Sequence, residues 1–350
     1  MNSKCIYMVM MAVLRLMLTS AQSCPFHMDI APCLCTEIGP SPELDMDCSH
    51  VVDIDQLMRV FQADFPSTNY RRLSMTGTPD DPIPISFLPD GVFGSITFQE
   101  IVIQHAQINR VDDYAFLGSK DTLTMLTLIH SELTSFPTTI LPLLSDFREL
   151  DLSYNHLVFI PDLRSSSLRS LTLAHNTQLN FSDRVFDEID QIIDLNIAHC
   201  NMETIPPGMF LNMMNLSTVY LEYNKITHLD AASLHFTSEV IEEVVLSGNQ
   251  ISAAEPNFFS GTGKHTYLEL LNNQITTLGE ASWRPVFHAI SEHGDGLVML
   301  DGNPLDCGCS LAWLVTSSSF LSHLALGATC ANGTAIHDLN PSAFDHNCGR

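Results

Sequence analysis

A spacing of about 24 residues recurs along this chain and limits what it can fold into. On the pattern LxxLxLxxNxL, Leu150, Leu152, Asn155 and Leu157 match, and so do Val219, Leu221, Asn224 and Ile226. Val244, Leu246, Asn249 and Ile251 repeat it, followed by Leu268, Leu270, Asn273 and Ile275. With Tyr70, Phe98, Leu123, Phe147, Leu168, Ile192, Leu216, Ile241, His265 and Asp295 as first positions, successive spacings are 28, 25, 24, 21, 24, 24, 25, 24 and 30. Helical amphipathicity, with its period of about 3.6 residues, does not produce such a recurrence. It marks a solenoid, in which each unit buries its apolar face against the next. The 350 residues would suggest two compact domains; as a repeat array they make one elongated body.

Each position of the repeat has a physical reading. The alternating apolar pair, as in Leu150 and Leu152, is a short strand with one face buried, and the residues between face outward. The asparagine column lies inside, where a side-chain amide satisfies backbone groups of the turn leaving the strand. Cys200 occupies that column in IAHCNM and reads as a buried structural thiol; Thr78, Ala106 and Ser131 make the column irregular early on. Several units close with Pro and Phe, as in Leu88–Phe93 and Ile205–Phe210, which reads as a returning convex side of turns or short helices. This is the leucine-rich repeat period. The expected fold is an α/β solenoid, a leucine-rich repeat horseshoe whose curved parallel sheet has about ten strands and runs on the order of 45 Å.

Composition narrows the partners. The net charge is −25, from 15 basic and 40 acidic side chains, with 45% apolar residues to build a core. Such an excess disfavours nucleic acid and anionic membrane surfaces, both of which are bound by Lys and Arg. Residues 1–23 read as a signal peptide: Lys4, an apolar stretch Ile6–Leu18 interrupted by Arg15, and a small-x-small site at Ala21-Gln22-Ser23. Its removal leaves −27 and an expected secreted chain with no spanning segment. Export agrees with the cysteines. Cys24, Cys33, Cys35 and Cys48 cluster before the repeats, and Cys307, Cys309, Cys330 and Cys348 after them. Each group holds a C-x-C and neither has a zinc-type C-x₂-C, so disulfides are expected. The reading divides the chain into 24–69, an N-terminal cap; 70–296, repeats; and 297–350, a C-terminal cap. Glu43–Cys48 alternates like an edge strand that blunts the first repeat.

The run Asn303–Leu314 resembles the cysteine-rich C-terminal cap of extracellular leucine-rich repeat proteins, and both caps resemble that family. Its usual pairing implies Cys24–Cys35, Cys33–Cys48, Cys307–Cys330 and Cys309–Cys348. Within the family, Ile30–Cys35, Ala63–Leu73, Leu88–Gly94 and Leu133–Pro137 resemble the arthropod proteins typified by the non-catalytic subunit of Oplophorus luciferin 2-monooxygenase. The resemblance implies a secreted accessory or binding role, with a small catalytic subunit as partner, no cofactor and no enzymatic activity of its own.

No catalytic motif emerges from the residues themselves: neither G-x-S-x-G nor H-E-x-x-H occurs, and Gly261–Lys264 reads as an ordinary loop. The eighth repeat position reads His105, His130, Tyr154, His175, His199, Tyr223. Three readings compete for it: a ladder of packed rings, a partner contact, or a divalent metal on the pairs His105/His130 and His175/His199, which would make the chain an enzyme. Outward strand positions, among them Arg72, Glu100, Glu149 and Asp194, give the candidate binding surface, densest from the third repeat to the eighth. Asp151, Asn196, Tyr220, Glu222, Glu243, Tyr267 and Glu269 are the expected partner-binding residues, with Tyr220 and Tyr267 as anchors and a basic patch on the partner. The sequons at Asn180, Asn215 and Asn332 lie away from outward strand positions. A truncated receptor ectodomain for innate recognition is a further alternative, which would require a membrane anchor after Cys348.

Overall fold

The structure, a computed structural model, describes residues 23–39, 43–261 and 265–348. The signal-peptide reading falls, except for Ser23, outside the described residues, as does 262–264 of the Gly261–Lys264 loop.

Twelve strands form one continuous sheet: β1 Leu34–Ile38, β2 Glu43–Asp47, β3 Asn69–Thr76, β4 Thr97–Gln104, β5 Met125–Ile129, β6 Glu149–Asp151, β7 Ser170–Thr172, β8 Asp194–Asn196, β9 Thr218–Tyr220, β10 Glu243–Val245, β11 Tyr267–Glu269 and β12 Leu297–Met299. They lie side by side in chain order. Every pairing is parallel except β1 with β2. β3 to β12 are the ten repeat strands that the spacing requires. Glu43–Asp47 does pair with the first repeat strand but is not the edge; β1, hidden in sequence by its C-x-C and the turn after it, lies outside it. The fold is the leucine-rich repeat horseshoe.

The asparagine column explains the regular stacking. Asn155 donates to Leu128 O (2.7 Å) and Leu152 O (2.9 Å), while its Oδ1 accepts the N–H of Leu133 (3.2 Å) from the preceding unit. Asn176, Asn249, Asn273 and Asn303 make equivalent bonds. Each amide therefore ties two units together and pairs backbone groups at the buried turn. Cys200 joins this ladder with its own chemistry: its N–H donates to Asn224 Oδ1 (2.9 Å) and its thiol lies 3.3 Å from Leu173 O. Burial pushes that thiol up to about 11.

Both open ends of the core are covered. Disulfides Cys24–Cys35 and Cys33–Cys48 staple the first end, Cys307–Cys330 and Cys309–Cys348 the last. The 30-residue interval before β12 holds α1, Glu280–His293, whose Trp283, Val286, Phe287 and Ile290 recur at helical spacing and are buried. Trp283 meets Phe258 at 5.1 Å, and Phe287 meets Trp313 of the cap at 5.6 Å. The Trp313 indole N–H donates to Leu278 O (2.9 Å). The returning side is turns, short 3₁₀ segments and two-residue parallel pairs such as Phe159–Ile160 with Asn180–Phe181.

Candidate functional site

Strand alternation sends Leu150, Leu171, Leu195, Val219, Val244 and Leu268 into the core and their neighbours onto the concave face. Register then decides which outward residues meet. Tyr220 lies beside Asn196 on one side and Val245 on the other, while Glu243 lies beside Tyr267, and Val245 beside Glu269. The Tyr220 hydroxyl donates to Glu243 Oε2 across the diagonal (3.3 Å). Burial raises the Tyr220 phenol's pKa, and so do Glu243, Asp194 and Glu222 nearby.

Glu222 carries the tension of this cluster. Its Oε2 is buried without a hydrogen-bond partner. Its carboxyl is raised above the usual carboxylate range by burial, against a hydrogen bond from its own backbone that lowers it, and further by Glu243 and Glu269; Glu269 is raised by burial and by Glu243. From β6 to β12 no Lys or Arg stands at an outward strand position. At the other end of the sheet the arginines of β3 are engaged: Arg71 pairs with Asp45 and also approaches Glu43 and Glu100 (both 3.6 Å), and Arg72 pairs with Glu100 (3.0 Å). The alternation alone did not single out Arg71, which precedes the outward position of its strand.

Five of the seven expected partner residues, Tyr220, Glu222, Glu243, Tyr267 and Glu269, thus come together over β9–β11. Asn196 sits beside them, with its Oδ1 accepting the Ala198 N–H (3.0 Å). Asp151 is three strands away, about 14 Å. Its carboxylate is turned back onto the Ser153 N–H (2.9 Å).

The eighth-position column borders this face as one uninterrupted stack. From His105 through His130, Tyr154, His175 and His199 to Tyr223, ring centroids are 4.6, 4.1, 4.0, 4.1 and 4.6 Å apart, with planes within 20° of parallel. All six residues have φ between 48° and 60°. At the end of the stack Gly248 takes the same left-handed position, and a Cβ there would come within 2.7 Å of the Tyr223 ring. Parallel rings send their nitrogen lone pairs side by side rather than toward a common point, an arrangement unlike a ligand set. Among the described residues, the side chains whose ligand atoms cluster closely enough for a metal are elsewhere: His228, Asp230 and Glu255, mutually within 4.8 Å on the side of the solenoid. A cleft on the returning side is lined by Phe181, Asp183, Arg184, Met202, Glu203 and Pro207, and includes none of the expected partner residues.

These features place the chain in a class. It belongs to the extracellular leucine-rich repeat proteins with cysteine-rich caps. It is 29% identical over 333 residues to the Oplophorus-luciferin 2-monooxygenase non-catalytic subunit of Oplophorus gracilirostris, covering 94% of this chain and 89% of that one. Fibromodulin of Oryctolagus cuniculus is 32% identical over 155 residues, 44% of this chain and 88% of the relative. Among solved structures, a chain in the octameric complex of Latrophilin 3, Unc5D and FLRT2 (LRR) superposes with a TM-score of 0.62 at 16% identity, over 83% of this chain and 87% of that chain; this likeness concerns the fold. No protein-family model matches the chain. No helix among the described residues is long and apolar enough to cross a membrane.

Proposed function

We propose that the protein is a secreted, non-catalytic binding subunit whose concave face takes up a basic protein partner, and that the partner is a small catalytic subunit. The carrying observation is the acidic, tyrosine-bearing patch of β9–β11, which has no cation of its own. A partner guanidinium or ammonium would compensate Glu222, Glu243 and Glu269 together, and Tyr220 and Tyr267 would supply apolar area at small entropic cost. Similarity to a protein named a non-catalytic luciferase subunit supports the accessory role and makes an oxygenase a candidate partner. Asn180, Asn215 and Asn332 are exposed and lie off the concave strands, so glycans attached there would leave the face bare.

Affinity purification of the secreted protein identifies what co-purifies. Dissociation constants are then measured for Tyr220→Ala, Glu222→Lys and, on the returning side, Asp187→Lys. Tyr220→Ala and Glu222→Lys are expected to weaken binding about 30-fold or more, as for anchors contributing about 2 kcal/mol. Equal weakening by Asp187→Lys would place the partner elsewhere.

A further inference from the structure

The two edges of the twelve-stranded sheet differ. At β12 the edge is occupied: Val298 donates its N–H to His323 O (2.8 Å) and accepts that of Ala325 (2.9 Å). At β1 it is open. Cys48 donates its N–H to Ser74 O (2.8 Å), toward β3. By alternation the backbone groups of Glu43, Asp45 and Asp47 turn the other way, toward β1, and meet those of Ile38, Thr36 and Leu34 in antiparallel register. The N–H and C=O of Cys35 and Glu37 are left pointing out of the sheet, and no hydrogen bond engages them among the described residues. Leu34, Thr36 and Ile38 share the concave side and are exposed, Leu34 by 42% and Ile38 by 44%. The cap also exposes Phe26, Met28 and Val52. An open edge of this kind is a template for another strand, and Leu34–Ile38 contains neither the Pro nor the Lys that commonly blunts one.

We propose that this edge joins two copies of the chain, β1 pairing antiparallel with β1 of the second copy about a twofold axis at Thr36. The sequence of the strand is complementary to itself in that register. Cys35 faces Glu37 of the second copy, so the four outward backbone groups on each chain close into four hydrogen bonds. Leu34 faces Ile38, and Thr36 faces Thr36, in the non-hydrogen-bonded pairs where side chains approach most closely. No two like charges are directly opposed. Centring the pair on Glu37 instead would set carboxylate against carboxylate, and shifting by one residue would break the backbone bonds. The second copy is thereby favoured over an unrelated strand, and the assembled sheet has twenty-four strands, with both concave faces still open to partners.

Net charge opposes this contact, because each copy is strongly acidic, −25 over the full sequence and −27 without residues 1–23. Salt screens that repulsion, so the dimer tightens as ionic strength rises, opposite to the acidic concave face with its basic partner. Sedimentation equilibrium on the full secreted chain is expected to give twice the monomer mass, with a dissociation constant falling about tenfold between 0.05 and 0.5 M NaCl. Glu37→Pro removes only an outward N–H and should leave the melting temperature unchanged while making the protein monomeric. Thr36→Glu, which opposes two carboxylates at the axis, should do the same. Thr36→Cys should yield a reducible covalent dimer, whereas Leu34→Cys alone should not. A wild-type protein that is monomeric at about 100 μM in 0.5 M NaCl overturns the proposal, as does a dimer unaffected by both Glu37→Pro and Thr36→Glu. Tyr220→Ala and Glu222→Lys should leave the dimer intact, so this contact and the concave partner site fail or stand separately.

Discussion

Glu222 is charged where the surroundings favour it neutral. Its Oε2 is buried without a partner, and burial with the nearby Glu243 and Glu269 raises its carboxyl. A carboxyl raised in the folded state costs stability when ionised, and the cost disappears as pH falls below its ordinary range near about 4.3. Glu222→Gln is therefore expected to raise the melting temperature at pH 7, with the gain shrinking to nothing by about pH 4. It should also weaken the partner, because the uncompensated charge is what a basic group would meet. Calorimetry from pH 4 to 7 checks this; a lower melting temperature at pH 7 would mean that Oε2 is stabilised in place. The outward placement of Glu222 follows from the repeat phase. Its convergence with Glu243 and Glu269 depends on cross-strand geometry and on side-chain direction, which the repeat phase does not specify. The same gap explains Asp151 and Asn196: both lie on the face that alternation assigns, yet each bonds a backbone N–H two residues on.

Stacking offsets part of the strain along the aromatic column. Holding a residue other than glycine in the left-handed region costs roughly 1–2 kcal/mol. Five ring contacts at about 0.5–1.5 kcal/mol each recover part of that cost over the six residues. Where the stack ends, Gly248, Asn272 and Gly302 take the same conformation, two of them glycines. The histidines also tie the stack to pH. Burial lowers His130, His175 and His199; His105 lowers His130 further, with Asp151 acting in the opposite sense, and His199 and His130 lower His175. The other rings against them are Tyr154 and Tyr223. A lowered histidine contributes stability above about pH 6.5 that is lost as pH falls through its folded value. Glu222 and Glu269 act in the opposite direction, so the comparison must be with a variant that keeps them. His130→Phe/His175→Phe/His199→Phe retains stacking without titration, and its melting temperature should hold better than the wild type's between pH 6.5 and 5. Equal acid slopes would show that the column does not titrate with folding. The periodicity made this column legible as six polar rings one unit apart. Of the three readings that the column admitted, the ladder of rings is the arrangement observed; its ring spacings and near-parallel planes depend on the shared left-handed backbone, which the repeat phase does not specify. α1 was concealed for a different reason: the interval of 30 residues marks an insertion without saying what fills it.

Contacts in a solenoid are made between neighbours, so stability is transmitted along the chain and its ends decide how it begins to open. The repeat count and the direction of the sheet were legible because both follow from one recurring pattern. The outermost strand was not, because β1 is shaped by a disulfide cap and has no partner in the repeat. At the other end, the cap buries Trp313, Leu314 and Val315, and the Cys309–Cys348 bridge closes 39 residues of chain over them. Removing that bridge with Cys309→Ser/Cys348→Ser frees the unfolded chain and unseals the core, at a cost of about 2–5 kcal/mol. The effect should be graded in space. Hydrogen exchange is expected to lose protection first in β12 and α1, then in β11 and β10, while β3 to β6 retain theirs under the same native conditions. The N-terminal bridges Cys24–Cys35 and Cys33–Cys48 serve as the control, since their removal should reverse the gradient. A uniform loss over all twelve strands from either pair of substitutions would show that the horseshoe opens as one cooperative unit, and stability would then have to be assigned to the whole sheet rather than to successive neighbours.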